Sequence, residues 1–129
     1  MNTKATRCPC GSSKNYADCC GPYLDRGEAA PSAEALMRSR YTAYSLDRED
    51  YLLATWHNST RPASLELPGE PPSKWLGLDV KRHEQSGSDQ AVVEFVARYK
   101  LGGRAHRLRE VSRFVREAGQ WYYVDGDVG

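Results

Sequence analysis

Two periodicities divide the chain. From residue 33 to about 46 the apolar positions follow a helical stripe. Met37, Tyr41 and Tyr44 recur at i, i+4 and i+7, and Leu36 with Ala43 widens the stripe. Ser32 is placed to cap this helix, and Glu34 lies in its first turn, where negative charge is favourable. A second helix is predicted from Asp47 to near Asn58, with Asp50 in a capping-box position and Leu52, Thr55 and Trp56 on one face. From Trp75 onward the period becomes two. Leu76, Leu78 and Val80 are expected to face one way. Ala91, Val93, Phe95, Ala97 and Tyr99 form the apolar face of a second strand, and Leu108, Glu110, Ser112 and Phe114 that of a third. Residues 121–124 make a fourth strand. The turns fall at residues 85–89, at Gly102-Gly103 and at residues 117–120, short enough to impose antiparallel pairing. Helices first and a meander afterwards define an α+β domain with the helices on one face of the sheet. The stretch from Asp25 to Pro31 reads as a polar linker. Residues 59–72 read as loop, with a short strand or turn at residues 64–67.

The N-terminal stretch obeys neither period. CPCGSSKNYADCC holds all four cysteines of the chain, Cys8, Cys10, Cys19 and Cys20, in the spacing C-x-C-x8-C-C. Four soft thiolates suit a tetrahedral zinc ion, and C-x-C can set two sulfurs on one ion. Pro9 stiffens the turn, Gly11 with Ser12 and Ser13 lets the chain fold back, and Tyr16 can pack over the loop. The alternatives are a pair of disulfides or free thiols. Adjacent Cys19 and Cys20 would bridge each other only under strain, and small disulfide scaffolds spread cysteines along the whole chain.

Composition narrows the setting. With 129 residues, 40% hydrophobic and 27% charged, the chain has room for one ordinary domain plus a small appendage. The net charge of +1 offers no global argument for nucleic acid. No apolar run is long enough for a membrane span, and MNTKATRCPC lacks the apolar core of a signal peptide, so a reducing, cytoplasmic compartment is expected.

Catalytic chemistry is not legible as a motif, for no phosphate-binding glycine loop or nucleophile–base pair stands out. The candidates are individual residues. Glu110 puts a carboxylate on an apolar strand face, so it requires a partner or a proton. An ion pair with Arg38 or Arg40 is the structural expectation, and an acid or base in a pocket the functional one. Ser112, Phe114, Tyr99, Trp56 and His57 are the other candidate pocket residues, although a histidine at a helix end commonly serves the last carbonyls. His106 begins the Glu110 face, and His83 lies among charged residues near a strand end. On the opposite face Arg107, Arg109 and Arg113 form a strip that could meet an anionic partner, with a solvated, balanced surface as the plain alternative. Aromatic platforms are missing from that strip, which weighs against single-strand binding.

The cysteine stretch resembles the SEC-C motif, a zinc-binding knuckle. CPCGS, Lys14, Tyr16 and Cys19-Cys20 match, while Ser13, Asn15, Ala17 and Asp18 depart from the more basic pattern. Further on, LMRSRYTAY, DYLLATWH, WLGLDV, VEFVARYKLGG and REVSRFVREAGQWYYVDG resemble the successive blocks of the YchJ-like family of bacterial proteins. The resemblance implies a SEC-C motif over residues 1–24 and a domain similar to nuclear transport factor 2 (NTF2-like) over residues 25–129. It implies helices covering a strongly curved sheet, a cone with an open mouth. It carries no activity with it, because such cones include enzymes and plain binding domains. The expectation is a zinc-stabilised binding or adaptor protein with one structural Zn2+, engaging a protein partner through the knuckle. The alternative is a small-molecule enzyme using acid–base chemistry in the cone.

Overall fold

A computed structural model describes residues 7–65, 67 and 73–129. Four antiparallel strands, β1 (Ser73–Ser86), β2 (Gln90–Leu101), β3 (Arg104–Glu117) and β4 (Gln120–Val128), pair in sequence order as a meander. Three helices, α1 (Gly21–Arg26), α2 (Ala33–Ser45) and α3 (Glu49–Ala54), accompany them, and α2 makes contacts with β1, β2 and β4. The α+β architecture and the antiparallel sheet are as the pattern implies. The short α1 immediately follows the last cysteine and runs two residues into the stretch that the pattern reads as a linker.

The helix α2 begins where its cap says it should, with the Ser32 hydroxyl accepting the Ala35 N–H at 3.1 Å. Its buried side holds Leu36, Met37, Tyr41 and Ala43, but also Ser39, Arg40 and Thr42. The second predicted helix is shorter than its pattern. Asp47 adopts a left-handed φ of 56°, so the helix starts at Glu49 after Arg48 and has no side-chain cap. It stops at Ala54 because the next residues pair with the sheet. The Tyr123 N–H donates to Thr55 O at 2.9 Å, and the His57 N–H donates to Tyr123 O at 2.7 Å. Residues 55–57 thereby cover the outer edge of β4, which would otherwise present unpaired backbone. Trp56 and His57 are consequently not helical.

In β1 the simple alternation fails at a bulge between Trp75 and Gly77. The inserted residue shifts the phase, so Leu76 is 45% exposed while Trp75, Leu78 and Val80 join the core. The β2 and β3 alternations hold through the core. Ala91, Val93, Phe95 and Ala97 are buried, with Ser112 and Phe114 opposite them on β3. Fully burying a side chain such as Leu36, Leu52, Val93 or Phe114 contributes about 2 kcal/mol of transfer free energy. In the loop before β1, Glu49 accepts the N–H groups of Leu65 and Leu67 at 3.1 and 3.0 Å. Within the expected turn at residues 64–67, residue 66 lies outside the described residues, as do residues 68–72.

The cysteine segment is not a detached appendage. Cys8, Cys10, Cys20 and Leu24 belong to the same buried cluster as Ala33, Leu36, Met37 and Leu78. A side chain at Gly11 would touch Leu78 O at 3.4 Å, and Arg38 of α2 donates to Cys10 O at 3.0 Å.

Candidate functional site

The knuckle is built by short-range backbone bonds. An isolated antiparallel bridge joins Arg7 to Asn15, and the Cys8 N–H donates to Lys14 O at 2.9 Å. The reversal between them needs two left-handed residues, Gly11 at φ 80° and Ser13 at φ 73°. A single turn of 3-10 helix, Tyr16–Asp18, returns the chain to Cys19 and Cys20. Gly21 is required there by close approach, since a Cβ would lie 2.8 Å from Tyr16 O.

This arrangement brings the four sulfurs together. All four Sγ atoms lie within 4.8 Å of one another, with Cys10–Cys19 at 3.6 Å and Cys19–Cys20 at 4.0 Å. A tetrahedron of sulfurs about 2.3 Å from a central zinc has edges of about 3.8 Å, so the donor set fits such an ion. The disulfide alternative is not realised, for all four cysteines are free. Cys8, Cys10 and Cys20 are buried and Cys19 is half-buried. Hydrogen bonds with Cys10 and Cys20 push the Cys8 thiol down, while the same kind of contact with Cys10 and Cys8, together with burial, pushes Cys20 up. Four crowded sulfurs cannot all ionise against one another unless a cation sits among them. A hydroxyl that sequence reasoning missed supports them. Thr42, fully buried on α2, donates to Cys20 Sγ at 3.4 Å and lies 3.6 Å from Cys8 Sγ. A small polar residue on the apolar side of α2 was the available signal.

The second feature is the interior of the cone, a cavity of about 260 Å³ between α2 and the concave face of the sheet. Met37, Arg40, Tyr41 and Tyr44 line it from α2, Trp75 from β1, Phe95 and Ala97 from β2, Leu108, Glu110, Ser112 and Phe114 from β3, and Tyr123 from β4. Glu110 is half-buried, and its Oε2 accepts the Ser112 hydroxyl at 2.7 Å and the Tyr123 hydroxyl at 2.9 Å. Its carboxylate lies against Gly126, where any Cβ would collide with it. The ion pair expected with Arg38 or Arg40 is not made. Arg38 bonds Glu34 at 3.1 Å and the knuckle, and Arg40 Nη1 donates to Leu52 O at 2.8 Å and Thr55 Oγ1 at 2.7 Å. The Arg40 guanidinium lies over the rings of Trp56 and Tyr123, 5.0 and 4.6 Å from their centroids, and burial lowers its pKa. Hydroxyls, together with the more distant charge of Arg40, therefore compensate Glu110.

Of the candidate pocket residues, Glu110, Ser112 and Phe114 line the cavity and the others do not. Trp56 stands behind it, edge-on to Tyr123 and over Arg40. Tyr99 sits outside the lining, packed on Trp75 and stacked on His106. His57 faces the other way, with Nδ1 2.7 Å from Ser59 Oγ and Nε2 2.8 Å from Glu117. Trp56 and His57 are displaced by the early end of α3, which sends residues 55–57 to the β4 edge. No histidine lines the cavity among the described residues. Trp75 and Tyr123 were not legible as pocket residues, because they meet Tyr44 and Arg40 only once α2 crosses the sheet.

The arginine strip is balanced on its own face. Arg109 pairs with Glu94 through both Nε and Nη2, and Arg113 bridges Asp125 at 2.6 Å and Asp127 at 2.9 Å. Arg107 is exposed and attracts Asp79, which itself pairs with Arg98 at 2.6 Å. The acids come from the neighbouring strands, Asp79 and Glu94 from earlier in the chain and Asp125 and Asp127 from β4 after it.

A cysteine knuckle docked on an NTF2-like cone defines a two-part class of protein, and comparison with known proteins agrees. Residues 6–22 match the SEC-C motif, and residues 32–126 match the model described as YchJ, middle NTF2-like domain. The chain is 58% identical over 121 residues to a UPF0225 protein of Methylibium petroleiphilum, covering 94% of this chain and 88% of that one. It is 55% identical over 123 residues to a UPF0225 protein of Bordetella pertussis, covering 94% and 92%. The solution structure of a SEC-C motif containing protein from Rhodopseudomonas palustris superposes with a TM-score of 0.83 at 38% identity, over 96% of this chain and 99% of that one. A crystal structure of a SEC-C motif containing protein from Psychrobacter arcticus gives 0.72 at 32% identity, over 95% and 82%. The chain belongs to this bacterial YchJ (UPF0225) family. No helix among the described residues is long and apolar enough to cross a membrane.

Proposed function

We propose that the protein is a zinc-organised binding protein of the bacterial cytoplasm, with the knuckle as its structural metal site and the cone cavity as its binding site. The observation that carries this reading is the cavity. It is largely apolar, about 260 Å³ in volume, and has one carboxylate on its wall with no histidine beside it. A mostly apolar concavity with a few convergent polar groups is the usual form of a small-molecule site. Acid–base catalysis has less support, since the one carboxylate already accepts two hydroxyl hydrogen bonds and no histidine lines the cavity among the described residues. Cys8, Cys10, Cys19 and Cys20 would hold the zinc, whose chemistry there is structural. A reducing compartment keeps such thiols available for metal. The sulfurs face α2, so the knuckle supports the role of scaffold, and a protein partner would meet only its outward loop, where Lys14, Asn15, Ala17 and Asp18 are exposed. The experiment combines elemental analysis with native mass spectrometry of protein purified without chelator. The expected result is one zinc per chain and a co-purifying small molecule that disappears when Ala97→Trp fills the cavity. Four freely reactive thiols without zinc would remove the metal assignment, and equal ligand content in the filled variant would remove the cavity.

A further inference from the structure

Two oxygens of the cavity wall are left without a hydrogen bond among the described residues. Glu110 Oε2 accepts both available hydroxyls, from Ser112 and Tyr123. Among the described residues no hydrogen bond reaches Glu110 Oε1. The Tyr44 hydroxyl, on the facing helix, is in the same position, and burial raises its pKa, which keeps it a neutral phenol. Arg40, the cavity's cation, turns Nη1 toward α3, where Leu52 and Thr55 hold it, and is enclosed by the faces of Trp56 and Tyr123. The unmet demand at Glu110 Oε1 is therefore for a hydrogen-bond donor, beside a carboxylate that Arg40 offsets only from a distance.

The walls favour the same kind of guest. Tyr41 and Tyr44 lie 5.6 and 6.0 Å from Trp75, ring centroid to centroid, and Phe114 lies 5.7 Å from Tyr123. Ring faces carry negative potential and attract an ammonium or guanidinium group, most strongly where water is excluded. Ala97 and Leu108 leave room for an apolar body beside the rings.

Resting on the reading of the cavity as a binding site, we propose that its ligand is a small organic amine, whose protonated nitrogen donates to Glu110 Oε1 while its apolar body lies against the aromatic walls around Trp75. The Tyr44 hydroxyl takes a second polar contact. Glu110 is then a specificity residue, held in place by Ser112, Tyr123 and the space over Gly126.

The test uses the zinc-loaded full chain and three probes of similar shape, phenethylammonium, 2-phenylethanol and 3-phenylpropionate. Binding is read from chemical-shift changes at the Trp75 indole and at Ser112. Phenethylammonium is expected to bind best, with 2-phenylethanol weaker by about tenfold or more, because hydrogen bonds to charged groups exceed neutral ones. Glu110→Gln is expected to erase most of that preference while 2-phenylethanol binding changes little. The ranking of probes on the unaltered protein needs no variant, so a misfolded Glu110→Gln would not rescue the idea. Tightest binding by 3-phenylpropionate, or equal binding of amine and alcohol, overturns the ligand class and leaves the cavity as a binding site. No shift at Trp75 or Ser112 with any probe removes both.

Discussion

The knuckle draws its four sulfurs from one short stretch, Cys8 to Cys20, whereas the cavity draws its walls from α2 and all four strands. Both bury polar atoms in an apolar setting, but they satisfy them differently. In the knuckle the four sulfurs lie within 4.8 Å of one another, and the hydroxyls of Thr42 and Ser12 cannot answer four potential negative charges. In the cavity the carboxylate of Glu110 has two hydroxyl donors from the fold itself. The first site has the geometry of a metal centre, and a cation there would answer those charges. The second is stable before anything binds, and its spare acceptor is free for selection. On the proposed reading, the cluster that the fold leaves uncompensated serves structure, and the one it compensates with capacity to spare serves recognition.

The largest expected effect breaks the knuckle. Structural zinc in isolated finger peptides contributes on the order of 10–16 kcal/mol of apparent binding free energy. Because Cys8, Cys10 and Cys20 share the core of α2 and Leu78, chelation or Cys20→Ala is expected to lower the melting temperature of the sheet as well as disorder the cysteine loop. Hydrogen exchange on β2 and β3 amides measures this. Unchanged protection of the sheet with the loop melted would show that the two regions are energetically separate after all.

A smaller effect is expected in the cavity. A broken buried ion pair would cost about 3–5 kcal/mol, but Glu110 has no such pair, and Gln can still accept from Ser112 or Tyr123. Glu110→Gln is therefore expected to cost about 1–2 kcal/mol, the scale of weakening charged hydrogen bonds. A loss above about 3 kcal/mol in denaturant titration would mean that Arg40 depends directly on Glu110. Gly126→Ala tests the same geometry from below. Its Cβ collides with the carboxylate, so it is expected to destabilise by about 1–3 kcal/mol, the usual cost of overpacking. In a Glu110→Ala background that cost should vanish, and additive losses would deny the contact.

The smallest effects lie on the convex face. Hydrogen bonds and charge from Arg98, Arg109 and Arg113 hold Asp79, Glu94 and Asp127 below the usual carboxylate range. A depressed folded-state pKa contributes stability that is present above the unfolded value near 4 and is lost as pH falls through the folded value. Thermal melts should thus be flat from neutral pH to about 5 and fall below about 4, with a shallower fall in high salt. Arg107→Gln, Arg109→Gln and Arg113→Gln together should lower stability only slightly, in keeping with exposed pairs. A steep salt-dependent affinity for RNA, lost in that triple variant, would instead make this face a polyanion site.

Several of these features were legible in residue order. Ser32 capped α2 as expected because a cap is a contact over three residues. The alternations of β2 and β3 held because both strands lie inside the sheet, and the carboxylate on the apolar face was visible at Glu110. The cysteine set announced itself because its ligands are close along the chain. Other readings failed where distant residues decided. The β1 alternation broke at Leu76 because a bulge against β2 inserted one residue. Trp56 and His57 left their helix because the edge of β4 offered backbone hydrogen bonds.

By itself the sequence determined the class, helices followed by an antiparallel meander, and the local chemistry of four thiols within one loop. These rest on periodicity and short-range geometry, which need no knowledge of what lies across the fold. Only the tertiary structure decided that Thr42 reaches two of the sulfurs, that Arg40 goes to α3 and the rings of Trp56 and Tyr123 instead of to Glu110, and that Glu110 is held by Ser112 and Tyr123. The physical reason is that a buried charge takes whichever partner the crossing of α2 over a curved sheet brings within hydrogen-bond reach, and that crossing depends on every strand at once.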